Sequence, residues 1–492
     1  MATKSDLLVF AEAIVLKDIA PKLHPLAKPR LGYGRVVRGY WVFWAVLLLW
    51  FGTLWGAFTS NTLLAWSAGL LYITYDTWLI AYIAWKNRHL AASTSTSTPI
   101  QTMTEANTLS VGVIVSARDE EDVLEATINT LLLQSYQPKH ILIVNDGSTD
   151  NTATLLAEKF ALPILDGWSV STRYPHLSVL HKKNSGKADS MNQACRLLDV
   201  DVVMTVDADT RLSADALAAM YRAFVTEPQL VAACGVLTPR CKGGLLAQVF
   251  AGFQHFEYLR AFLSRAAWMQ SNALLLVSGA LAAYRREMLM TIGGYDPHSL
   301  VEDYELIHRL HRHACDNGLD WRVKVLPEAR AETDAPASFR AFLHQRRRWF
   351  AGFLQTQFQY RAMQGEVRYR SVGRLMLPIK AADTLQPVYG MTAFILLCIF
   401  IASGAVFAPL ILLVIAIKLV IDFSYHLWAI RLYHRWLQQP IPSNTWWYAV
   451  FSTLAEPFSF QLLRHVGALW GWIILLTGHQ DWVPQRTMRG VK

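Results

Sequence analysis

Val202–Asp209 reads VVMTVDAD, a short run of strand-forming residues that ends in two carboxylates one position apart. Its length and lack of helical period predict a buried strand. Two acids at the end of such a strand are costly unless something positive joins them. A divalent cation shared with a diphosphate is one answer, and Mg and Mn both suit such oxygens. A solvated loop is the plainer one. Outward from this run the same rhythm recurs. VGVIVSA (Val111–Ala117), HILIVND (His140–Asp146) and LSVL (Leu177–Leu180) read as strands. Glu125–Leu133, Thr152–Phe160 and Lys187–Leu198 read as helices. The alternation predicts an α/β domain, a mostly parallel sheet with helices on both faces. Ligands of such sheets bind at the carboxyl ends of the strands, where the acids lie.

Of four further motifs, two precede this run in the chain and two follow it. Asp146 closes a strand and is followed by GSTDNT, which is either a ligand contact or a capped turn into a helix. Asn184-Ser185-Gly186-Lys187 precedes a helix, so a cation and a helix N-terminus could face an anion. Glu302-Asp303 starts another helix, as a general base or as a simple cap. Gln345-Arg346-Arg347-Arg348-Trp349 joins guanidiniums suited to phosphate with a flat ring suited to a sugar. By itself it would also serve as a basic cluster beside a membrane.

Hydrophobic residues make up 53% of the 492 and charged residues only 17%, too apolar for an ordinary soluble enzyme of this size. The net charge of +9 comes from basic residues that flank apolar stretches. A membrane surface and anionic substrates explain them better than nucleic acid. Five cysteines without a Cys-x-x-Cys spacing predict reduced thiols, with neither disulfide nor zinc. No signal peptide is expected in the polar residues 1–39.

Tyr40–Ser60 and Leu63–Trp85 are each about the length a membrane helix needs. Basic residues in 1–39 and at Lys86 and Arg88 predict a hairpin with both ends in the cytosol. The predicted order is a cytosolic segment 1–39, two transmembrane helices in 40–88 and a Ser/Thr-rich linker in 89–108. A catalytic domain follows in 109–370, then transmembrane and interfacial helices in 371–492. Val388–Ser403 and Pro409–Leu427 are the clear later spans. Trp446–Leu476 is broken by Glu456-Pro457 and Arg464-His465 and reads as re-entrant or interfacial. Four spans are expected, with room for a fifth or sixth. Asp76, Lys418 and Asp422 within apolar helices must face water, a sugar or one another. The aromatic stretch 240–275 predicts a long helix, on the membrane surface or packed inside the domain.

Taken in this order, these motifs resemble the membrane-embedded family-2 glycosyltransferases, namely the cellulose, chitin, hyaluronan and poly-N-acetylglucosamine synthases. The resemblance covers about residues 109–360 and the flanking spans. It implies a GT-A (Rossmann-like) cytosolic domain embedded between transmembrane helices, in a multi-pass protein of the plasma (inner) membrane. It also implies a UDP-sugar donor, Mg or Mn, inversion at the anomeric carbon, and a growing glycan or lipid as acceptor. Membrane lipids are expected partners, accessory export proteins fit the picture, and nucleic acid does not. Carried over by residue, Asp119, Asp146, Lys187, Asp207 and Arg348 would bind the nucleotide-sugar. Asp209, with Asp207, would hold the metal. Asp303 would be the base, with Glu302 beside it. Ser278, Gly279, Gln345 and Trp349 would meet the acceptor. Asp119-Glu120 stands where Asn-Glu is usual, and Val301 where Thr is frequent. The Cys-containing loop of cellulose synthases is absent, and VSGALAAYRREML (Val277–Leu289) looks more like poly-N-acetylglucosamine or hyaluronan synthases. The alternative is a lipid glycosyltransferase similar to ceramide glucosyltransferases, adding one sugar. A non-enzymatic transporter or scaffold does not account for the acid set.

Overall fold

A computed structural model describes residues 41–90 and 108–477. The expected segment 1–39 and most of the Ser/Thr-rich linker lie outside the described residues. The strands are β1 (Val111–Ala117), β2 (His140–Asp146), β3 (Gly167–Val170), β4 (Leu177–Lys182), β5 (Val202–Asp207), β6 (Thr210–Leu212), β7 (Leu230–Arg240), β8 (Leu281–Arg285) and β9 (Arg322–Asp334). They form one sheet in the order β3-β4-β2-β1-β5-β8-β7-β9-β6. Strands β4, β2, β1 and β5 are parallel neighbours. They are the apolar runs read from the sequence, and Val113, Val115, Leu142 and Ile143 are fully buried. Each such side chain stabilises the fold by about 1.5–3 kcal/mol relative to exposure.

The expectation of a mostly parallel sheet needs correction. β8 runs against both β5 and β7, while β9 is parallel to β7. β3 and β6 close the edges antiparallel. The reversal of β8 has a local cause. The chain enters it through Ser278–Ala280 at the edge where β5 leaves, so it can only run back. β5 also stops at Asp207, not Asp209. Asp207-Ala208-Asp209 is the turn into β6, which puts both acids at the sheet edge.

The domain helices are α3 (Leu124–Leu132), α4 (Thr152–Phe160), α5 (Lys187–Leu197), α6 (Ala216–Thr226), α7 (Leu245–Met269), α8 (Arg286–Thr291), α9 (Glu302–Asp316) and α10 (Phe339–Gln359). Before them come α1 (Trp41–Thr59) and α2 (Ser67–Asn87), and after them α11 (Leu377–Ala402), α12 (Ala408–Trp436), α13 (Asn444–Ala455) and α14 (Phe460–Thr477). Among the described residues, three helical stretches are long and apolar enough to cross a membrane: Val372–Ala402, Ala408–Trp436 and Phe460–Thr477. Trp44–Thr59 is a shorter apolar helix. Their outward faces are strongly apolar, with Phe58 84% and Val420 66% exposed. The stretch 446–476 is interrupted where its sequence says, by a 3-10 turn at Glu456–Phe458 between α13 and α14.

The long aromatic helix is α7, and its rings face protein. Phe253 stacks on Phe451 and Phe460, each at 5.0 Å between centroids. Phe256, Phe262 and Trp268 are buried. α7 thus rests the sheet domain on α13 and α14, and α10 also packs against α14.

Candidate active site

Five strands that leave the sheet at one edge end there in a polar residue. β2 ends in Asp146, β4 in Lys182, β5 in Asp207, β7 in Arg240 and β9 in Asp334. The loop into β8 brings Ser278 and Gly279 to the same edge, because β8 pairs antiparallel with β5.

Asp146 is 3% exposed and fully partnered. Lys182 Nζ donates to Oδ1 at 2.5 Å, and the Ser185 and Gly186 amides donate to Oδ1 and Oδ2 at 2.9 Å each. The carboxylate therefore shapes the 183–186 loop that delivers Lys187. Lys182 had no part in the sequence reading, which ended that strand at Leu180. The strand in fact runs to Lys182, and the parallel register sets Asp146 against it. The turn after Asp146 needs Gly147, whose φ is +66°. A Cβ there would lie 2.7 Å from the Asn184 amide nitrogen. Asp119, at φ +55°, ties the end of β1 to this turn. Its Oδ1 accepts from the Thr149 amide at 2.7 Å, and its own amide donates to Ser148 Oγ at 3.0 Å.

Lys187 Nζ lies 2.5 Å from Asp207 Oδ1 and 3.4 Å from Glu302 Oε1, so one cation bridges the two acid motifs. Burial pulls its pKa down, but Asp207 and Glu302 outweigh that and hold it above the usual lysine value. Asp303 Oδ2 accepts from the Gly279 amide at 3.0 Å, and Oδ1 from its own helix at the Tyr304 amide at 2.8 Å. Burial first, and then Glu302, raise the Asp303 carboxyl above the usual range. Asp303, Glu302, Gly279, Lys187 and Asp207 thus form one contiguous group.

Asp209 Oδ1 accepts from Thr333 Oγ1 at 3.2 Å. Burial, then Asp207 and Asp334, push its carboxyl up to about 7. Asp334 pairs in turn with Arg240 at 2.5 Å. Neither Thr333 nor Asp334 was legible, because β9 carries charges along its length and lacks an apolar run. Among the described residues no three His, Cys, Asp or Glu side chains are arranged to hold a metal ion. The donor set fits a divalent cation that takes one or two carboxylate oxygens from Asp207 and Asp209. Its remaining ligands would be phosphate and water oxygens. The crowding that raises Asp209 is what such a cation would relieve.

α10 carries Gln345–Trp349 beside this group. Arg348 Nη1 reaches the Leu300 carbonyl at 3.4 Å, just before Glu302. Gln345 is 8% exposed, and its buried Oε1 has no hydrogen-bond partner. Arg346 is buried against Glu257, and Arg347 lies over Trp470 at 4.7 Å. Behind Tyr304 a cavity of about 530 Å³ runs among α2, α7, α10, α11, α12 and α14. Asp76, Lys418 and Asp422 line it. They are also paired, Lys418 with Asp76 at 2.8 Å and Lys418 with Asp422. Both sequence-based readings of these residues, ion pair and lining, thus describe the same atoms.

Residues 112–293 match the model for "Glycosyl transferase family 2". The poly-beta-1,6-N-acetyl-D-glucosamine synthase of Staphylococcus aureus (strain MSSA476) is 28% identical over 241 residues, covering 49% of this chain and 53% of that protein. The synthase of the same name from Staphylococcus epidermidis is 26% identical over 243 residues, covering 49% and 54%. The chain thus spans about half the length of the curated relatives it matches. A mannosyltransferase from Pyrobaculum calidifontis, solved with GDP-Man and Mn2+, superposes with a TM-score of 0.56 at 18% identity, over 84% of this chain and 100% of that one. The sheet domain has the GT-A glycosyltransferase fold.

Proposed function

We propose that this family-2 glycosyl transferase domain is the catalytic part of a processive synthase. It takes sugar from a UDP-sugar with inversion and elongates a β-linked polysaccharide such as poly-N-acetylglucosamine. The observation that carries the reading is the single sheet edge where Asp207, Lys187, Glu302 and Asp303 meet next to the Gln345–Trp349 helix. The similarity to poly-N-acetylglucosamine synthases supports the sugar.

In this reading Asp146 and Asp119 hold the loops that frame the nucleotide. Lys187 and Arg348 meet the diphosphate. Asp209 and Asp207 would hold a divalent cation, Mg or Mn, which when bound would supply charge neutralisation to the leaving UDP. Asp303 takes the proton from the acceptor hydroxyl as its oxygen attacks the anomeric carbon, and Glu302 keeps Lys187 beside it. Gln345 and Trp349 receive the acceptor sugar, the amide through its free oxygen and the indole through its face. The catalytic domain lies in the cytosol, and the helices around the cavity behind Tyr304 carry the product into the membrane. There Asp76, Lys418 and Asp422 offer polar contacts to hydroxyls.

Purified full-length protein incubated with single radiolabelled UDP-sugars tests this directly. UDP-N-acetylglucosamine is expected to give a ladder or high polymer. A single-sugar lipid would replace the synthase with a lipid glycosyltransferase. In sealed vesicles with the catalytic domain outside, the polymer is expected to resist an added glycosidase. Polymer fully open to the glycosidase would rule out translocation.

A further inference from the structure

The Gln345–Trp349 helix holds its Trp against something other than substrate. The Arg346 guanidinium lies 4.5 Å from the Trp349 ring centroid and 4.6 Å from that of Phe342. The three side chains are spaced along one face of α10, so the flat cation sits between the two rings. Arg346 is 4% exposed. A long side chain buried this deeply does not keep one rotamer unaided, and an unpaired buried charge is costly. Glu257 on α7 supplies the partner. Its two oxygens accept from Nη1 at 2.8 Å and Nη2 at 2.7 Å, the bidentate geometry that fixes a guanidinium plane.

Glu257 does not stop there. Arg464 on α14 donates to it at 3.5 Å. Arg464 also lies 4.0 Å from Glu456, which pairs with Arg260 on α7 at 2.5 Å. Three guanidiniums and two carboxylates thus run from the Trp349 ring to the break between α13 and α14. Glu257 thus touches both the Trp-bearing helix and a helix apolar enough for the membrane.

We propose that Glu257 is a positioning residue for Trp349, acting through Arg346, and that it sets the acceptor side of the site without touching the donor. This rests on the glycosyltransferase reading above. Removing the carboxylate frees the guanidinium to leave its place between the rings, and the Trp349 face loses its support.

The experiment compares Glu257→Gln and Glu257→Asp with the parent full-length protein in nanodiscs. Three readouts are taken: transfer to glycan, hydrolysis of the UDP-sugar to water, and the donor KM. Hydrolysis needs the donor and metal residues but no acceptor platform. For Glu257→Gln, transfer is expected to fall about tenfold, with hydrolysis and donor KM within about twofold. Glu257→Asp keeps the charge on a shorter stem, and its transfer is expected to fall less. Parent-like transfer in Glu257→Gln would overturn the proposal. So would an equal fall of transfer, hydrolysis and donor affinity, which is the pattern of general structural damage. Should Glu257→Gln not fold, Glu257→Asp decides by the same criteria. A parent protein that neither transfers nor hydrolyses any nucleotide-sugar would sink the glycosyltransferase reading, and this proposal with it.

Discussion

At the scale of single residues, Asp209 and Asp303 are both buried acids with different burdens. Asp209 is raised by burial and by Asp207 and Asp334, so replacing it removes repulsion as well as the proposed metal ligand. Asp209→Asn is expected to keep or slightly raise the thermal midpoint while turnover falls at least about a hundredfold. Normal turnover at low Mn or Mg would refute the metal role. Asp303 is held by the Gly279 and Tyr304 amides, contacts that an Asn can partly keep. Asp303→Asn is expected to bind UDP within a few-fold of the parent and to transfer about 10²–10⁴ times more slowly. A loss of UDP affinity as large as that of Asp146→Ala would count against the assignment. A base works ionised, and the Asp303 carboxyl is raised. The acid limb of kcat/KM is therefore expected above the ~4 of a free carboxylate. Activity should fall as pH drops through that raised value. A limb at or below ~4 would remove Asp303 as the titrating base. These acids were legible because each follows an apolar run or opens a helix. Lys182, Asp334 and Glu257 were not, since their roles come from strand register and helix packing, which leave no local trace.

Among elements, the parallel strands were legible from β-branched runs. β8 and β9 were not, because LAAYR is short and RVKVLPEARAETD alternates with charge. The pairing of α10 with α14 was equally hidden, yet it is the closest helix contact near the site. A Cβ on Gly467 would stand 2.7 Å from Arg346 Cβ, and one on Gly471 2.7 Å from the Arg347 carbonyl oxygen. Only glycine lets the backbones approach this far. Gly471→Val is expected to cost about 1–3 kcal/mol, as overpacking does, and to slow transfer more than donor hydrolysis. A thermal midpoint and transfer rate both equal to the parent's would show that the contact is not tight.

For the whole molecule, composition pointed to a membrane, and among the described residues three stretches are long and apolar enough to cross one. How the sheet domain rests on them was beyond reach, because it depends on α7, whose aromatic face suits a membrane surface as well as a protein core. The glycine contact between α10 and α14 has a consequence for the lipid around the protein. The described part of α14, 18 residues, reaches about 27 Å at ~1.5 Å each, comparable to a hydrocarbon core of about 30 Å. A bilayer thicker or thinner than its helices deforms around them or changes their tilt. Because α10 is seated on α14 without side chains to cushion the contact, that adjustment passes to Trp349. The enzyme would then act as a gauge of acyl-chain length. Its rate is expected to change across vesicles of short- to long-chain lipid, with donor hydrolysis nearly constant. Equal polymer synthesis across the lipid series would mean that the seat on α14 transmits nothing.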